Sequence, residues 1–282
     1  MRLMALDFGP LDPIILVQGE IVLAYKYWGA CVVIQVDPTL SDEGFLRLFE
    51  KGIKGQWTQD QIDWGAVEGL RQDHREALGQ VMTPVYLGEQ TAMLGVSAVL
   101  PMILNSGQAE SAMYLSSMGM DEARHFQNLN RLYRTLGVEP LASRRVPEMW
   151  RYQARLLQER DPIQWVWGIL ISDLFAKTFY GGFVRRFPDT VVGRLSRRTL
   201  QDEARHQAFS DRYLTRALPT LDGEGRKNLL VLRDDLFRVM EKLGTRLQAP
   251  METLDWSPED FIKELWDDTE IWAKRLGIVS ED

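Results

Sequence analysis

The chain has 282 residues, 45% of them hydrophobic and 26% charged, with a formal net charge of −7; it can bury a large core, and one large helical domain accounts for most of its length. The acidic balance and the lack of a basic cluster argue against nucleic acid as a partner. A single cysteine, Cys31, excludes an intramolecular disulfide framework and fits a reducing, cytoplasmic setting.

At the N-terminus no basic segment leads into an apolar core with a small-residue cleavage site, so no secretory signal is expected. No run is long and apolar enough to span a bilayer; Ile21 to Val36 is interrupted by Lys26. Ile14 to Val17 and Cys31 to Val36 are short and β-branched, with Gly19 and Gly29 as breaks, which predicts a strand pair or extended arm over residues 1–40. From Ser41, read as an N-cap with Asp42 and Glu43 in the first turn, residues 41–282 form one helical domain. Helices are predicted at 41–51, 59–80, 84–104, 107–137, 146–159, 162–186, 190–217, 222–247 and 258–275. Gly137, Pro140, Pro162, Pro188, Pro219 and Gly223 punctuate them.

Two of these helices carry the same pentapeptide, Asp121-Glu122-Ala123-Arg124-His125 and Asp202-Glu203-Ala204-Arg205-His206, which between them hold two of the three histidines. Residues three apart on a helix share a face, so Glu122 with His125, and Glu203 with His206, each present a carboxylate and an imidazole together. Two such pairs, joined by one carboxylate from each of two further helices, make the ligand set of a dimetal site in a four-helix bundle. Glu89 is the only acid between Val85 and Leu100, beside Ala92, Met93, Val96 and Leu100. Asp173 is the only acid between Ile163 and Phe183, after Val166, Ile169 and Leu170. The candidate ligands are therefore Glu89, Glu122, His125, Asp173, Glu203 and His206. Each interval in that order suits a long helix, a turn and part of the next helix.

Charge points the same way. Buried carboxylates without partners are very costly. Two divalent cations cancel the charge of four carboxylates, and neutral imidazoles add donor atoms without adding charge. Mixed oxygen and nitrogen donors without a thiolate suit iron or manganese. A single copy of the pentapeptide would read as a solvated helix face with an Asp-to-Arg pair. Two copies with two solitary acids among apolar residues reverse that balance. His74, in the polar run Arg71-Gln72-Asp73-His74-Arg75-Glu76, reads as part of an exposed face. There is no GxGxxG, no Walker loop and no CxxC pair, so electrons for any redox chemistry must come from outside the chain.

Over residues 57 to 217 the chain resembles the di-iron carboxylate oxygenases of the ferritin-like superfamily. The Asp-Glu-x-Arg-His form of both copies is similar to the hydroxylase subunits of bacterial multicomponent monooxygenases and to acyl-carrier-protein desaturases. The resemblance implies an all-α, ferritin-like four-helix bundle with additional helices and a metal-binding core over 84–217. It implies two iron ions, with manganese at one or both positions as the variant, bridged by Glu122 and Glu203 and held terminally by Glu89 and Asp173. It also implies that Asp121 supports His206 and Asp202 supports His125, with Arg124 and Arg205 neutralising the aspartates. The activity implied is O2-dependent oxidation of a small, largely apolar organic substrate, of hydroxylase or monooxygenase type, with a ferredoxin or flavin reductase as electron donor. A homo-oligomer, as a dimer, is expected.

Desaturation and N-oxygenation are alternatives within the same chemistry. A ribonucleotide-reductase small subunit shares the ligand set, but its radical Tyr lies one turn after the first ligand His, where this chain has Leu129, and the final residues Ile278 to Asp282 contain no Tyr. A ferritin-type metal store is disfavoured by length, the second histidine and the apolar residues near the ligands. Met93, Met118, Phe126, Leu170 and Phe209 are read as pocket lining or simple core. The hydroxylases usually have Glu as the third-helix ligand and Thr one turn later; here those positions hold Asp173 and Lys177, with Thr178 next. Lys177 is expected to pair with Asp173 or to snorkel out of the bundle.

Overall fold

The structure is a computed structural model that describes residues 42–279 except 68, together with the backbone of four strands before them. Those strands, β1 (Ala5–Leu6), β2 (Ile14–Val17), β3 (Glu20–Tyr25) and β4 (Ala30–Ile34), pair antiparallel in sequence order. The two predicted segments do not pair with each other. β3 lies between them, with Ile14 opposite Leu23 and Ile21 opposite Ile34. Glu20–Tyr25 contains its own run of strand-forming residues, Ile21-Val22-Leu23, and Lys26 falls just beyond it.

The remainder of the described chain is helical: α1 (Glu43–Lys54), α2 (Gln72–Val81), α3 (Thr83–Asn105), α4 (Ala109–Leu136), α5 (Pro147–Leu156), α6 (Pro162–Arg186), α7 (Val191–Ala217), α8 (Gly223–Arg246), α9 (Gln248–Thr253) and α10 (Pro258–Leu276). Asp42 caps α1, its side chain accepting from Gly44 N and Phe45 N at 3.0 and 3.2 Å. The Ser41 cap expected from sequence lies outside the described residues. Gly137 ends α4 in the left-handed region (φ 68°), with Val138 N bonding back to Tyr133 O.

The predicted helix over 59–80 is broken. Only a short 3-10 turn forms at Gln59–Gln61, and α2 begins at Gln72. Gly69 takes φ +87° in between, a conformation that no continuing helix allows. The loop gains a use for its backbone there: Ala66 O accepts from Val191 N, a free donor at the start of α7. Within residues 72–105 an 18-residue window, of mean hydropathy 1.4, is long and apolar enough to cross a bilayer by length and composition alone. The α3 part of this stretch packs against α4, α5 and α6.

Four long helices make the centre. α6 packs along α7, α3 along α4, and the two pairs meet through α3 with α6 and α4 with α7. α1 covers α4 and α7, while α5, α8 and α10 build a further layer beside α3 and α6. Pro162 sits at the first position of α6, where its missing N–H costs nothing, and Asp161 accepts from Ile163 N at 2.8 Å. A defined start to α6 sets the phase that turns Asp173 inward.

Candidate metal centre

The central helices bring all six candidate ligands together. Glu89 comes from α3, Glu122 and His125 from α4, Asp173 from α6, and Glu203 and His206 from α7; every one is buried. His125 Nδ1 lies 3.4 Å from Glu89 Oε2, 3.6 Å from Glu122 Oε2 and 3.6 Å from Glu203 Oε1. His206 Nδ1 lies 3.2 Å from Glu122 Oε1 and 3.5 Å from Glu203 Oε2. Glu122 and Glu203 thus turn one oxygen toward each imidazole, the disposition of bridging carboxylates. Donor atoms of Glu89, Glu122, His125 and Glu203 lie within 4.8 Å of one another, as do those of Asp173, Glu203 and His206.

This arrangement fits two cations. Neither Nδ1 has a hydrogen-bond partner among the described residues, nor do the buried Glu122 Oε1 and Asp173 Oδ2. Buried polar atoms left unpaired are expensive, so a cluster of them facing one another needs a ligand. Two donors each about 2.1 Å from one cation stand about 3.0–3.4 Å apart, close to the separations found here.

The other imidazole nitrogens are anchored. His125 Nε2 donates to Asp202 Oδ2 at 3.0 Å, and His206 Nε2 donates to Asp121 Oδ2 at 3.3 Å, so each histidine is held by the aspartate of the other pentapeptide. Arg124 donates to Asp121 Oδ1 (2.6 Å) and Asp202 Oδ2 (2.7 Å), and Arg205 to Asp121 Oδ2 (3.0 Å) and Asp202 Oδ1 (2.5 Å). Two aspartates and two arginines therefore close a balanced, largely buried ring, and neither arginine is a free surface cation. Burial would raise the Asp121 carboxyl, but His206 and Gln56 outweigh it and hold it at about 2; Asp202 is held lower still against the same burial by His125, Arg124 and Trp57.

Three further residues support the cluster from outside the candidate ligands and the two pentapeptides. Gln56 Nε2 donates to Asp121 Oδ1 at 2.8 Å and Trp57 Nε1 to Asp202 Oδ2 at 2.8 Å, both from the chain just after α1. Neither stands in a motif or a periodic run. The third, Tyr180, donates its hydroxyl to Glu89 Oε1. Its position two turns after Asp173 on α6 was a usable signal.

The inner carboxylates carry opposite shifts. Burial pushes Glu122 up to about 8 against the pull of His206 and His125, and raises Asp173 well above its ordinary value with the charge of Glu203 adding to it. For Glu89 burial is outweighed by the charge of His125 and by hydrogen bonds that include the one from Tyr180, and its carboxyl lies below the usual value. Without cations the cluster takes up protons; with two divalent ions those protons are unnecessary.

A narrow apolar cavity opens directly onto the cluster. Glu89, Glu122, Asp173 and Glu203 form its polar end, and Val96, Trp165, Ile169, Phe175 and Met240 are among its apolar walls. Of the residues read as pocket lining, only Met118 reaches it. Leu170 is fully buried, Phe126 stacks on Tyr86, Phe209 stacks on Tyr114, and Met93 is not among the lining residues. The walls contributed by α8, Val239, Met240 and Leu243, stand in no motif of the sequence.

Lys177 does not pair with Asp173. Its ammonium reaches Asp268 at 2.7 Å and is 44% exposed, so the stem leaves the bundle. Thr178 donates to Leu174 O at 2.9 Å inside its own helix. His74 stays away from the cluster, edge-on to Phe187 with centroids 5.9 Å apart. Leu129 is buried core.

No family model matches the chain, and no curated protein matches it by sequence. Its fold does match solved structures. An R2-like ligand-binding oxidase with an aerobically reconstituted metal cofactor superposes with a TM-score of 0.68 at 17% identity, covering 84% of this chain and 94% of that one. A mutant R2-like ligand-binding oxidase with an aerobically reconstituted Mn/Fe cofactor gives 0.71 at 15% identity, over 83% and 94%. A protein with aldehyde deformylating oxidase activity from Synechococcus gives 0.64 at 16% identity, over 73% and 91%. The fold is the ferritin-like helical bundle that these oxidases share.

Proposed function

We propose that this protein is an O2-dependent, non-haem oxidase of the dimetal carboxylate type that oxygenates an apolar organic substrate bound in the cavity beside the cluster. One observation carries the reading: two buried imidazole nitrogens without partners each face oxygens of both Glu122 and Glu203, at the polar end of an apolar cavity. The oxidase neighbours, among them Mn/Fe proteins, support this over a metal store.

Glu89 and His125 would hold one cation and Asp173 and His206 the other, with Glu122 and Glu203 shared. Iron, or manganese with iron, suits the donor set and when bound supplies the reducing electrons and oxidising power for O2 chemistry. The chain's own residues do the rest. Asp121 and Asp202 keep the Nε2 protons in place, so each Nδ1 is presented as a donor. The apolar walls keep bulk water from the reacting carbon and orient it toward the carboxylate end.

Hydroxylation is the reaction we favour within this class. One oxygen atom of O2 enters a C–H bond and the other leaves as water, which takes two electrons and two protons from outside. No nucleotide, flavin or iron-sulfur motif is present in the chain, so a ferredoxin or flavin reductase is the proposed donor. The test is elemental analysis combined with the optical spectrum of the anaerobically reduced protein before and after exposure to O2. Two transition-metal ions per chain with an O2-dependent spectral change support the reading; a metal-free protein that takes up no iron or manganese overturns it.

A further inference from the structure

The two halves of the cluster are not equivalent, and the difference lies in how their terminal carboxylates are held. Glu89 Oε1 accepts the hydroxyl of Tyr180, which leaves Oε2 as the oxygen that faces His125 Nδ1 at 3.4 Å. Tyr180 is 2% exposed, so its ring has little room to turn and its hydroxyl is held inside the bundle against Glu89. Asp173 occupies the matching place in the other half. It is one methylene shorter, and its buried Oδ2 has no hydrogen-bond partner among the described residues. The donor atoms of Glu89, Glu122, His125 and Glu203 all lie within 4.8 Å of one another, whereas around His206, although Glu122 Oε1 stands 3.2 Å from Nδ1, only Asp173 and Glu203 share that span with it.

We propose that Tyr180 is a positioning residue that fixes Glu89 as a one-oxygen ligand, so that the half-site at His125 binds a divalent cation more tightly than the half-site at His206. Two effects oppose each other. The hydrogen bond draws charge from Glu89 and weakens it as a donor, but it also removes the rotamer freedom that a glutamate would otherwise lose on binding. Outer hydrogen bonds to metal ligands typically strengthen metal affinity by about 10- to 100-fold, so the ordering effect prevails. Asp173 has no such support and must be ordered by the cation itself.

The inference rests on the proposed dimetal reading, and the experiment separates the two. The full-length apo protein is titrated anaerobically with Co(II), following ligand-field absorption and bound metal by equilibrium dialysis, with no substrate and no turnover. Wild type is expected to fill in two steps, and His206→Ala to keep the tighter one. Tyr180→Phe should weaken the tighter step by about 10- to 100-fold and leave the weaker one within about threefold. Far-UV circular dichroism of the apo variants checks that each is folded. Should Tyr180→Phe misfold, His206→Ala against His125→Ala decides: retention of the tighter step by His125→Ala overturns the proposal. Two steps of wild-type affinity in folded Tyr180→Phe also overturn it while leaving the dimetal reading intact. A wild-type protein that binds no Co(II) overturns the dimetal reading itself.

Discussion

Asp202, on α7, holds His125, on α4: the imidazole Nε2 donates to Asp202 Oδ2 over 3.0 Å, and the same oxygen accepts from Trp57 Nε1 at 2.8 Å and Arg124 Nη2 at 2.7 Å. An Asn here keeps the size but loses the charge: with its oxygen toward His125, Trp57 and Arg124 its amide N–H groups oppose Arg205, which donates to Asp202 Oδ1, and turned the other way it sets N–H groups against the other three donors. Asp202→Asn is expected to lower metal affinity by about 10- to 100-fold. It should also cost the apo protein about 3–5 kcal/mol, since the largely buried Arg205 loses the Asp202 Oδ1 acceptor and the arginine pair loses one of its two balancing charges. Metal retention after dialysis and urea unfolding measure the two effects. Wild-type affinity in this variant would show that Asp202 does not tune the site.

Asp173 is the candidate ligand found by position instead of by motif. Asp173→Asn leaves three carboxylates against two divalent cations and should lower the occupancy of the His206 half-site in elemental analysis, together with the O2-dependent spectral change. Asp173→Glu restores the longer side chain of the resembling hydroxylases and should keep both metals. Full occupancy and an unaltered O2 response in Asp173→Asn would make Asp173 a buried acid and no ligand.

The inner site was legible because helix periodicity is a local rule. Glu122 with His125, and Glu203 with His206, had to share faces once α4 and α7 were helices, and Glu89 and Asp173 stood out as lone acids in apolar runs. What surrounds the site was not legible for the opposite reason. Trp57 reaches Asp202 across 145 positions and Arg246 reaches Glu148 across 98, contacts set by tertiary packing alone. The helix predicted over 59–80 failed where Gly69 adopts a positive φ, since a glycine inside a helical pattern does not announce which backbone region it will use. Of the two readings of Lys177, the stem that leaves the bundle holds and the pair with Asp173 does not, because α10 supplies Asp268 as its partner.

That correction makes a prediction of its own. Lys177 is partly exposed and bonded to Asp268, so its pair is worth about 0–1 kcal/mol. Lys177→Met should leave metal content unchanged and shift stability by no more than this, as read from elemental analysis and thermal unfolding. Loss of a metal ion in this variant would return Lys177 to the site.

Glu148 and Arg246 tie α5 to α8 beside the cavity through two bonds, of 2.7 and 2.8 Å. Burial raises the Glu148 carboxyl, but the hydrogen bond and charge of Arg246 outweigh it, and the net position lies below the ordinary carboxylate value. A carboxyl with a depressed value in the folded state stabilises the fold above its unfolded value, about 4.3, and this contribution is lost as pH falls through the folded value. Arg246 is 43% exposed, so water compensates part of any loss. Glu148→Gln is therefore expected to be about 1 kcal/mol less stable than wild type at pH 7. The gap should narrow below about pH 4. Paired urea unfolding curves across pH measure it; a gap that stays constant down to pH 3 would contradict the ion-pair account.

Gly88 precedes Glu89 on α3 and lines the cavity, and a Cβ placed there meets nothing within 4 Å. A larger side chain can enter that space without displacing backbone, while the helix gains a better former. Gly88→Leu should raise stability by about 0.5–1 kcal/mol in thermal unfolding. The same side chain occupies volume that an apolar substrate would need next to the carboxylates, so binding should fall while both metals stay. The probe is a series of medium-chain n-alkanols titrated into metal-loaded protein, read by the shift of the metal-centre spectrum. Wild type is expected to respond with an affinity that rises with chain length, by up to about 0.8 kcal/mol per buried CH2. Gly88→Leu is expected to bind the longer alkanols at least about tenfold more weakly, the effect of about 1.4 kcal/mol. If the variant is more stable, fully metallated and equally responsive to the alkanols, the cavity beside Gly88 is not where an apolar ligand meets the site.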